Sequence, residues 1–385
     1  MRPPYYYCGT LLLLILGFSK SYAYQEGKVT GSRFFIFGDS TVDAGNNNYI
    51  STTPENQADY PPYGHNGYFE KPTGRFSEGR IVVDFIAEYA QLPLIPPFLQ
   101  PSAEYVNGVN FASAGAGILP ETNQGLVIDL KTQLNHFEQV RRSLIEDLGE
   151  AEANTVLSEA VYSFSIGSND YMGGYLGNPN MQQMHDPEEF VGMVIGNLTQ
   201  AIQELYAKGG RKFAFLSLSS LGCLPVLRAL NPRKEGGCFE EATALAMAHN
   251  NAFSSVLANL EHLLKDFSYC NSKFSIWLDD RINNPLNHGF KDGINACCGI
   301  GPYGGIFTCG GTKNMTEYKL CESPDDYVWW DSFHPTEKLH EQLAQELWYG
   351  SPDVGPYNLQ QLFSGNNKKF IIADVVDDPS YEQKY

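Results

Sequence analysis

Basic residues are scarce: 26 Lys and Arg stand against 44 Asp and Glu in 385 residues, a formal net charge of -18. A chain this acidic repels phosphate backbones and anionic headgroups, which excludes nucleic acid and charged membrane surfaces as partners. Long hydrophobic runs are missing as well. The run Leu11 to Phe18 is too short to cross a bilayer and no later run is long enough, so no stable membrane insertion is expected. There is no pair of C-x-x-C or H-x-x-x-H clusters, hence no zinc site in the usual spacing. Internal repeats, low-complexity tracts and an obvious interdomain linker are absent too.

What is present is a large apolar fraction, 43% hydrophobic with 13% aromatic residues, enough to bury a sizeable core. Arg2, the apolar run and Ser21-Tyr22-Ala23 have the form of a secretion signal with a small-x-small cleavage site. Residues 1–23 are therefore set aside, and the mature protein is expected to be extracellular, soluble and monomeric. Cys8 leaves with the signal, and Cys223, Cys238, Cys270, Cys297, Cys298, Cys309 and Cys321 remain. In an oxidising compartment they allow three disulfides and one free thiol. Clustering suggests a Cys223–Cys238 bridge and a knot among the last four, with the pairing left open. Asn197 and Asn314 head N-x-T sequons, which fit the same route.

Short apolar runs at Phe34 to Phe37, Tyr105 to Ala112, Ala160 to Ile166, Lys212 to Leu218 and Phe274 to Leu278 read as buried strands. Helical patterns lie between them at Arg80 to Ala90, Leu130 to Leu148, Phe190 to Ala207 and Glu240 to Lys265. In the last, Leu245, Phe253, Val256, Leu260 and Leu263 form the predicted core-facing stripe. This alternation predicts an α/β fold, a central parallel sheet with helices on both faces. The segment Asn46 to Glu78, rich in Asn, Pro, Gly and Tyr, breaks the alternation and is expected to face the substrate.

The first strand stops at Gly38 and presents Asp39 and Ser40 at its carboxyl end, where open α/β sheets bind ligands. A lone Gly-Asp-Ser more simply caps the next turn. A nucleophilic serine, by contrast, needs a base and a group to orient it. "DSFHPTEK" supplies both, because Asp331 and His334 lie side by side when three residues apart on a turn, and Pro335 is placed to start the next helix. The remaining histidines, His65, His136, His185, His249, His262, His288 and His340, have no comparably placed acid and read as ordinary polar residues on helices or loops. An oxyanion needs donors, and two further strand ends offer them: the backbone N–H of Gly115 in "FASAGAGIL" and the carboxamide of Asn169 in "SIGSNDY".

Together these blocks resemble the plant secreted GDSL esterase/lipases of the SGNH hydrolase superfamily. The first block, G-D-S-x-x-D-x-G-N-N-N, is matched in full from Gly38 to Asn48, and "PTGRFSEGR", "NGVNFASAGAGIL", "SIGSNDY", "LGCLP", "ACCG" and "DSFHPTE" follow in family order. The resemblance covers roughly residues 31–363. It implies a three-layer α/β/α sandwich like flavodoxin, in a single domain over 24–363, with residues 364–385 an extension of unknown role. It further implies Ser40 as nucleophile, His334 as base and Asp331 as its orienter. The oxyanion hole would be built from Ser40, Gly115 and Asn169, with no metal or organic cofactor. The expected activity is hydrolysis of lipid or small acyl esters through an acyl-serine. An acyltransferase using the same intermediate is the alternative, and a non-catalytic binding or defence protein would have lost catalytic positions that are all present here.

Overall fold

The computed structural model describes residues 32–231, 237–306, 309–310 and 317–365. The predicted signal 1–23, the Asn314 sequon and the strand-like run "FIIADVV" of the C-terminal extension lie outside the described residues. In chain order the elements begin β1 (Phe34–Gly38), α1 (Val82–Tyr89), β2 (Gly108–Asn110), α2 (Leu130–Leu148), α3 (Glu150–Glu159) and β3 (Val161–Ser165). They continue with α4 (Pro179–Met184), α5 (Pro187–Ala207), β4 (Lys212–Leu216), α6 (Pro225–Leu230), α7 (Glu240–Leu263), β5 (Ser268–Ser272) and α8 (Phe274–Asn283). The last are β6 (Asp292–Ala296), β7 (Cys298–Gly299), β8 (Lys319–Leu320), β9 (Tyr327–Trp329), α9 (Glu337–Tyr349), β10 (Val354–Pro356) and α10 (Leu359–Ser364).

The main sheet has the order β10-β5-β4-β3-β1-β2. Strands β2, β1, β3, β4 and β5 run parallel, and β10 closes the β5 edge antiparallel. Strand alternation sends Phe35 and Phe37 to one face, where both meet Phe137 of α2, and Phe34 to the other, where it meets Phe363 of α10. Helices α2, α5 and α7 pack in series on the first face, and α1, α9 and α10 on the second. The result is the α/β/α sandwich expected from the sequence. Register aligns aromatics across three strands: Phe37, Phe164 and Phe215 stack at 5.0 and 5.4 Å, while Tyr162 stacks on Phe213 and meets Phe35 in a tilted contact, each at 5.4 Å. Such pairs contribute roughly 0.5–1.5 kcal/mol beyond the area they bury.

Two expectations need correction. Phe274 to Leu278 is not a strand but the first half of α8, in which Phe274, Trp277, Leu278 and Ile282 are buried at helical spacing. The fifth strand precedes it as Ser-Tyr-Cys-Asn-Ser, a polar sequence held by β4 on one side and β10 on the other. In α7, Leu263 is 75% exposed, and Leu257 rather than Leu263 completes the buried stripe.

The open cysteine pairing resolves as Cys223–Cys238, Cys297–Cys321 and Cys298–Cys309. Among the described residues Cys270 is the free thiol, buried in β5, and burial pushes it up to about 12, so it is inert as a nucleophile. The irregular segment Asn46 to Glu78 is anchored to the fold at both of its ends. Its Ala58, Tyr63 and Phe76 build a second small core with Ala114, Trp330, Cys297, Cys298 and Cys309. That core clamps the segment against the turn carrying Asp331 and His334.

Candidate active site

Ser40 sits just past β1 because Gly38 lets the chain turn there. A Cβ on Gly38 would lie 2.4 Å from Val42 Cγ2 and 2.5 Å from the Ser165 carbonyl, so no side chain fits. The Asp39 N–H donates to the Ser165 carbonyl at 3.0 Å and its carboxylate accepts from the Thr41 N–H at 3.0 Å, which fixes the turn. Burial pushes Asp39 up to about 6. Its role is to hold the serine backbone.

On the opposite side of the cleft, Asp331 begins a tight turn after β9. Its Oδ1 accepts from the Phe333 and His334 N–H groups, both at 2.8 Å. The His334 ring returns over the same carboxylate, with Nδ1 2.8 Å from Oδ1 and 2.9 Å from Oδ2. With a proton on Nδ1, Nε2 is an acceptor, and it lies 2.7 Å from Ser40 Oγ. Asp331 is buried, which alone would raise its carboxyl. The His334 charge and the donors from His334, Phe333 and Tyr63 outweigh this and hold it below the usual carboxylate range. The turn leads into Thr336 as N-cap and α9 from Glu337, two residues later than Pro335 suggested.

Gly115 has φ +80°, a conformation glycine adopts freely, and a Cβ there would lie 2.6 Å from Asn56 Oδ1. The backbone N–H groups of Ser40 and Gly115 have no hydrogen-bond partner among the described residues. Asn169 follows β3, and its carboxamide nitrogen donates to the Ala116 carbonyl at 3.0 Å, leaving its second N–H for the cleft. All of Ser40, Gly115, Asn169 and His334 line one cavity of about 410 Å³. Among the described residues no group of His, Cys, Asp and Glu side chains has the arrangement of a metal site.

The residues that hold these donors in place carry no reacting atoms, and only their place in the Gly38 to Asn48 and "SIGSNDY" blocks marks them in the sequence. Asp43 accepts from the Gly45 and Asn46 N–H groups with Oδ1, at 2.7 and 2.8 Å, and from the Ala114 N–H with Oδ2 at 3.0 Å. Asn46 donates to the Asn110 and Ala112 carbonyls, and Asn47 to the Asn56 and Ala114 carbonyls. The block from Asp43 to Asn47 thus ties the serine turn to the Gly115 turn. Asp170 accepts from the Ile118 and Leu119 N–H groups and from Thr122, tying the Gly115 turn to Asn169. Burial pushes both aspartates up to about 6.

Four of the remaining histidines depart from the expectation of ordinary polar residues without an acid, among them His185, whose Nδ1 lies 3.7 Å from Glu189 Oε2. His288 does have an acid, Asp280 Oδ2 at 2.7 Å, on an exposed surface remote from the cavity lining. His249 and His340 are buried and held neutral, burial lowering each to about 3, with Tyr171 and the Val82 N–H as partners. Of the two sequons, Asn197 is exposed on α5, where its carboxamide bonds back to the Met193 carbonyl.

A serine hydroxyl, an imidazole and a carboxylate in hydrogen-bonded series define the serine hydrolase class. Sequence comparison specifies the family. The GDSL-like lipase/acylhydrolase family matches residues 34–347. GDSL esterase/lipase 5 of Arabidopsis thaliana is 46% identical over 366 residues, covering 93% of this chain and 94% of its own. GDSL esterase/lipase 2 of the same plant is 48% identical (87% and 90% covered), and a GDSL lipase of Tanacetum cinerariifolium 45% identical (88% and 90%). Among solved structures, a mutant acetyl-xylooligosaccharide esterase from Geobacillus aligns at TM-score 0.32 and 12% identity over 65% of this chain and 80% of its own. The chain belongs to the GDSL-like lipase/acylhydrolase family and is a carboxylic ester hydrolase.

Proposed function

We propose that Ser40 attacks the carbonyl carbon of a carboxylic ester while His334 Nε2 takes its proton and Asp331 holds the imidazole by Nδ1–H. The observation that carries this reading is the 2.7 Å contact from Ser40 Oγ to His334 Nε2, continued through Nδ1 to Asp331. The tetrahedral oxyanion is received by the N–H groups of Ser40 and Gly115 and the carboxamide of Asn169. Collapse expels the alcohol, which leaves with the proton from His334. Water, deprotonated by the same nitrogen, then cleaves acyl-Ser40 to release the acid. No step calls for a metal or organic cofactor.

The cavity lining supports an ester with one apolar and one polar end. Toward β4 and β5 the walls are Leu218, Leu221, Leu227, Phe274 and Leu278, all buried. Toward β2 they are Glu55, Asn56 and Asn123. An acyl chain in the first arm gains about 0.8 kcal/mol per buried methylene. The departing alcohol must lie by His334, whose ring packs 4.7 Å from Phe76 on the same segment as Glu55 and Asn56. A polar alcohol suits that side. The relatives named as esterases and lipases agree with water as the acceptor, and no feature of the lining singles out a second alcohol.

Three disulfides fit the oxidising route that a signal at 1–23 would provide, and among the described residues no helix is long and apolar enough to cross a membrane. On this reading the protein is secreted, residues 24–363 form the hydrolase domain and 364–385 an appended tail. Hydrolysis of ethyl octanoate and of its isomer octyl acetate by wild type and Ser40→Ala tests the function. Turnover by wild type with preference for the octanoate, and none by Ser40→Ala, is expected; undiminished turnover by Ser40→Ala overturns the mechanism.

A further inference from the structure

We infer that Tyr63 is a positioning residue of this relay, its phenol delivered from the Asn46 to Glu78 segment to fix the outer carboxylate oxygen of Asp331 and set the basicity of His334. The inference rests on the reading of Ser40, His334 and Asp331 given above.

Tyr63 Oη donates to Asp331 Oδ2 at 2.8 Å across 268 residues of sequence. The other donors to that carboxylate, the Phe333 and His334 N–H groups and His334 Nδ1, all come from its own turn. Tyr63 is therefore the contact among them that pins the carboxylate plane from outside. The ring itself has little freedom: Tyr60, Phe76 and Trp330 surround it at centroid distances of 5.5, 5.6 and 6.2 Å. Phe76 also packs 4.7 Å from the His334 ring, so one short segment contacts the carboxylate through Tyr63 and the imidazole through Phe76. The same segment places Glu55 and Asn56 in the cavity wall. A segment shaping the substrate site is thus joined to the proton relay.

Burial, reinforced by the Asp331 charge, pushes the Tyr63 phenol well above its ordinary value, so it remains a donor throughout the working range. A donor on Oδ2 orients the carboxylate for the Nδ1 bond, and it also withdraws charge that would otherwise stabilise protonated His334. Removing the hydroxyl loosens the orientation and concentrates charge on Asp331. The imidazolium formed during catalysis then faces a more concentrated negative charge, which the acid limb of the rate profile reads out. The His334 charge also acts on Asp39 and His340, and the Asp331 charge on Tyr60, and Tyr63→Phe replaces none of these residues.

The test is the pH profile of p-nitrophenyl butyrate hydrolysis by wild type, Tyr63→Phe and a protein with 3-fluorotyrosine at position 63. Tyr63→Phe should lose kcat on the order of tenfold with KM within about twofold. Its acid limb in kcat/KM should move up by about half a pH unit. The stronger 3-fluorotyrosine donor should keep kcat and move that limb down. A packing role alone would lower stability and leave both limbs in place. Limbs that stay fixed in both proteins overturn the inference; should Tyr63→Phe not fold, the fluorinated protein decides alone. His334→Ala in the same assay separates the two readings: if it stays active the relay itself is wrong, whereas an inactive His334→Ala beside an unchanged Tyr63→Phe removes Tyr63 only.

Discussion

The Gln133 carboxamide pairs with Gly38 as a neighbouring strand would: Oε1 accepts the Gly38 N–H at 2.9 Å, and Nε2 donates to the Gly38 carbonyl at 2.9 Å. Nε2 also reaches the Ile128 carbonyl at 2.9 Å. A fully buried side chain of α2 thereby extends the sheet by one rung at the residue before the serine turn. Gln133→Leu fills the same space but leaves the Gly38 N–H unpaired, at a cost of about 1–3 kcal/mol. Urea denaturation should show that loss, with kcat falling more than it does for an equally destabilising core variant.

Gly115→Ala should act on the transition state. The added Cβ collides with Asn56 at a positive φ, displacing an N–H proposed to meet the oxyanion. Loss of one such donor lowers kcat by about 10²–10³-fold. Steady-state kinetics should show that fall with KM little changed; a wild-type kcat would exclude Gly115 from the oxyanion hole.

Stability should decline as pH rises from about 4 to about 8. Burial pushes Glu78 up to about 8 and Asp39, Asp43 and Asp170 up to about 6. Between their ordinary values near 4 and these raised ones the folded state binds more protons than the unfolded state, so stability falls as pH rises through that window. Glu78 accounts for the upper part. Its carboxylate faces Glu337, which further disfavours its charge, while also accepting the Glu337 N–H at the start of α9. Glu78→Gln should therefore flatten the fall in Tm between about pH 5 and 8 and leave the slope unchanged above about pH 9. Parallel curves for the two proteins would contradict this.

The Cys223–Cys238 bridge closes a 15-residue separation that carries α6 and, with it, Val226 and Leu227 of the apolar arm. Replacing both cysteines by serine should cost about 3 kcal/mol through the freer unfolded chain. Loosening one arm should also lower kcat/KM for octanoate more than for acetate. Equal losses on both esters would mean that the chain does not enter this arm.

The parts of the fold written in local pattern were legible in the sequence. The run Phe34 to Phe37 is buried on both faces and is a strand, and α2 has the predicted bounds because its apolar spacing is clean and Asp129 caps it. Strand β5 was not legible, since Ser-Tyr-Cys-Asn-Ser owes its burial to β4 and β10 and not to its own apolarity. In the site, Asp331 and His334 could be paired because three residues separate them. Tyr63, Gln133, Asp43 and Asp170 act across 268, 95, 71 and 52 residues, and their identity alone gives no hint of the partner.

The most direct test of Ser40 as nucleophile is peptide mass analysis of the protein after a serine-directed fluorophosphonate. Full-length protein should carry one adduct, on the peptide holding Ser40, with loss of ester hydrolysis in step with labelling, and Ser40→Ala should carry none. An adduct elsewhere that abolishes activity, or hydrolysis by Ser40→Ala at the wild-type rate, would contradict the proposed mechanism.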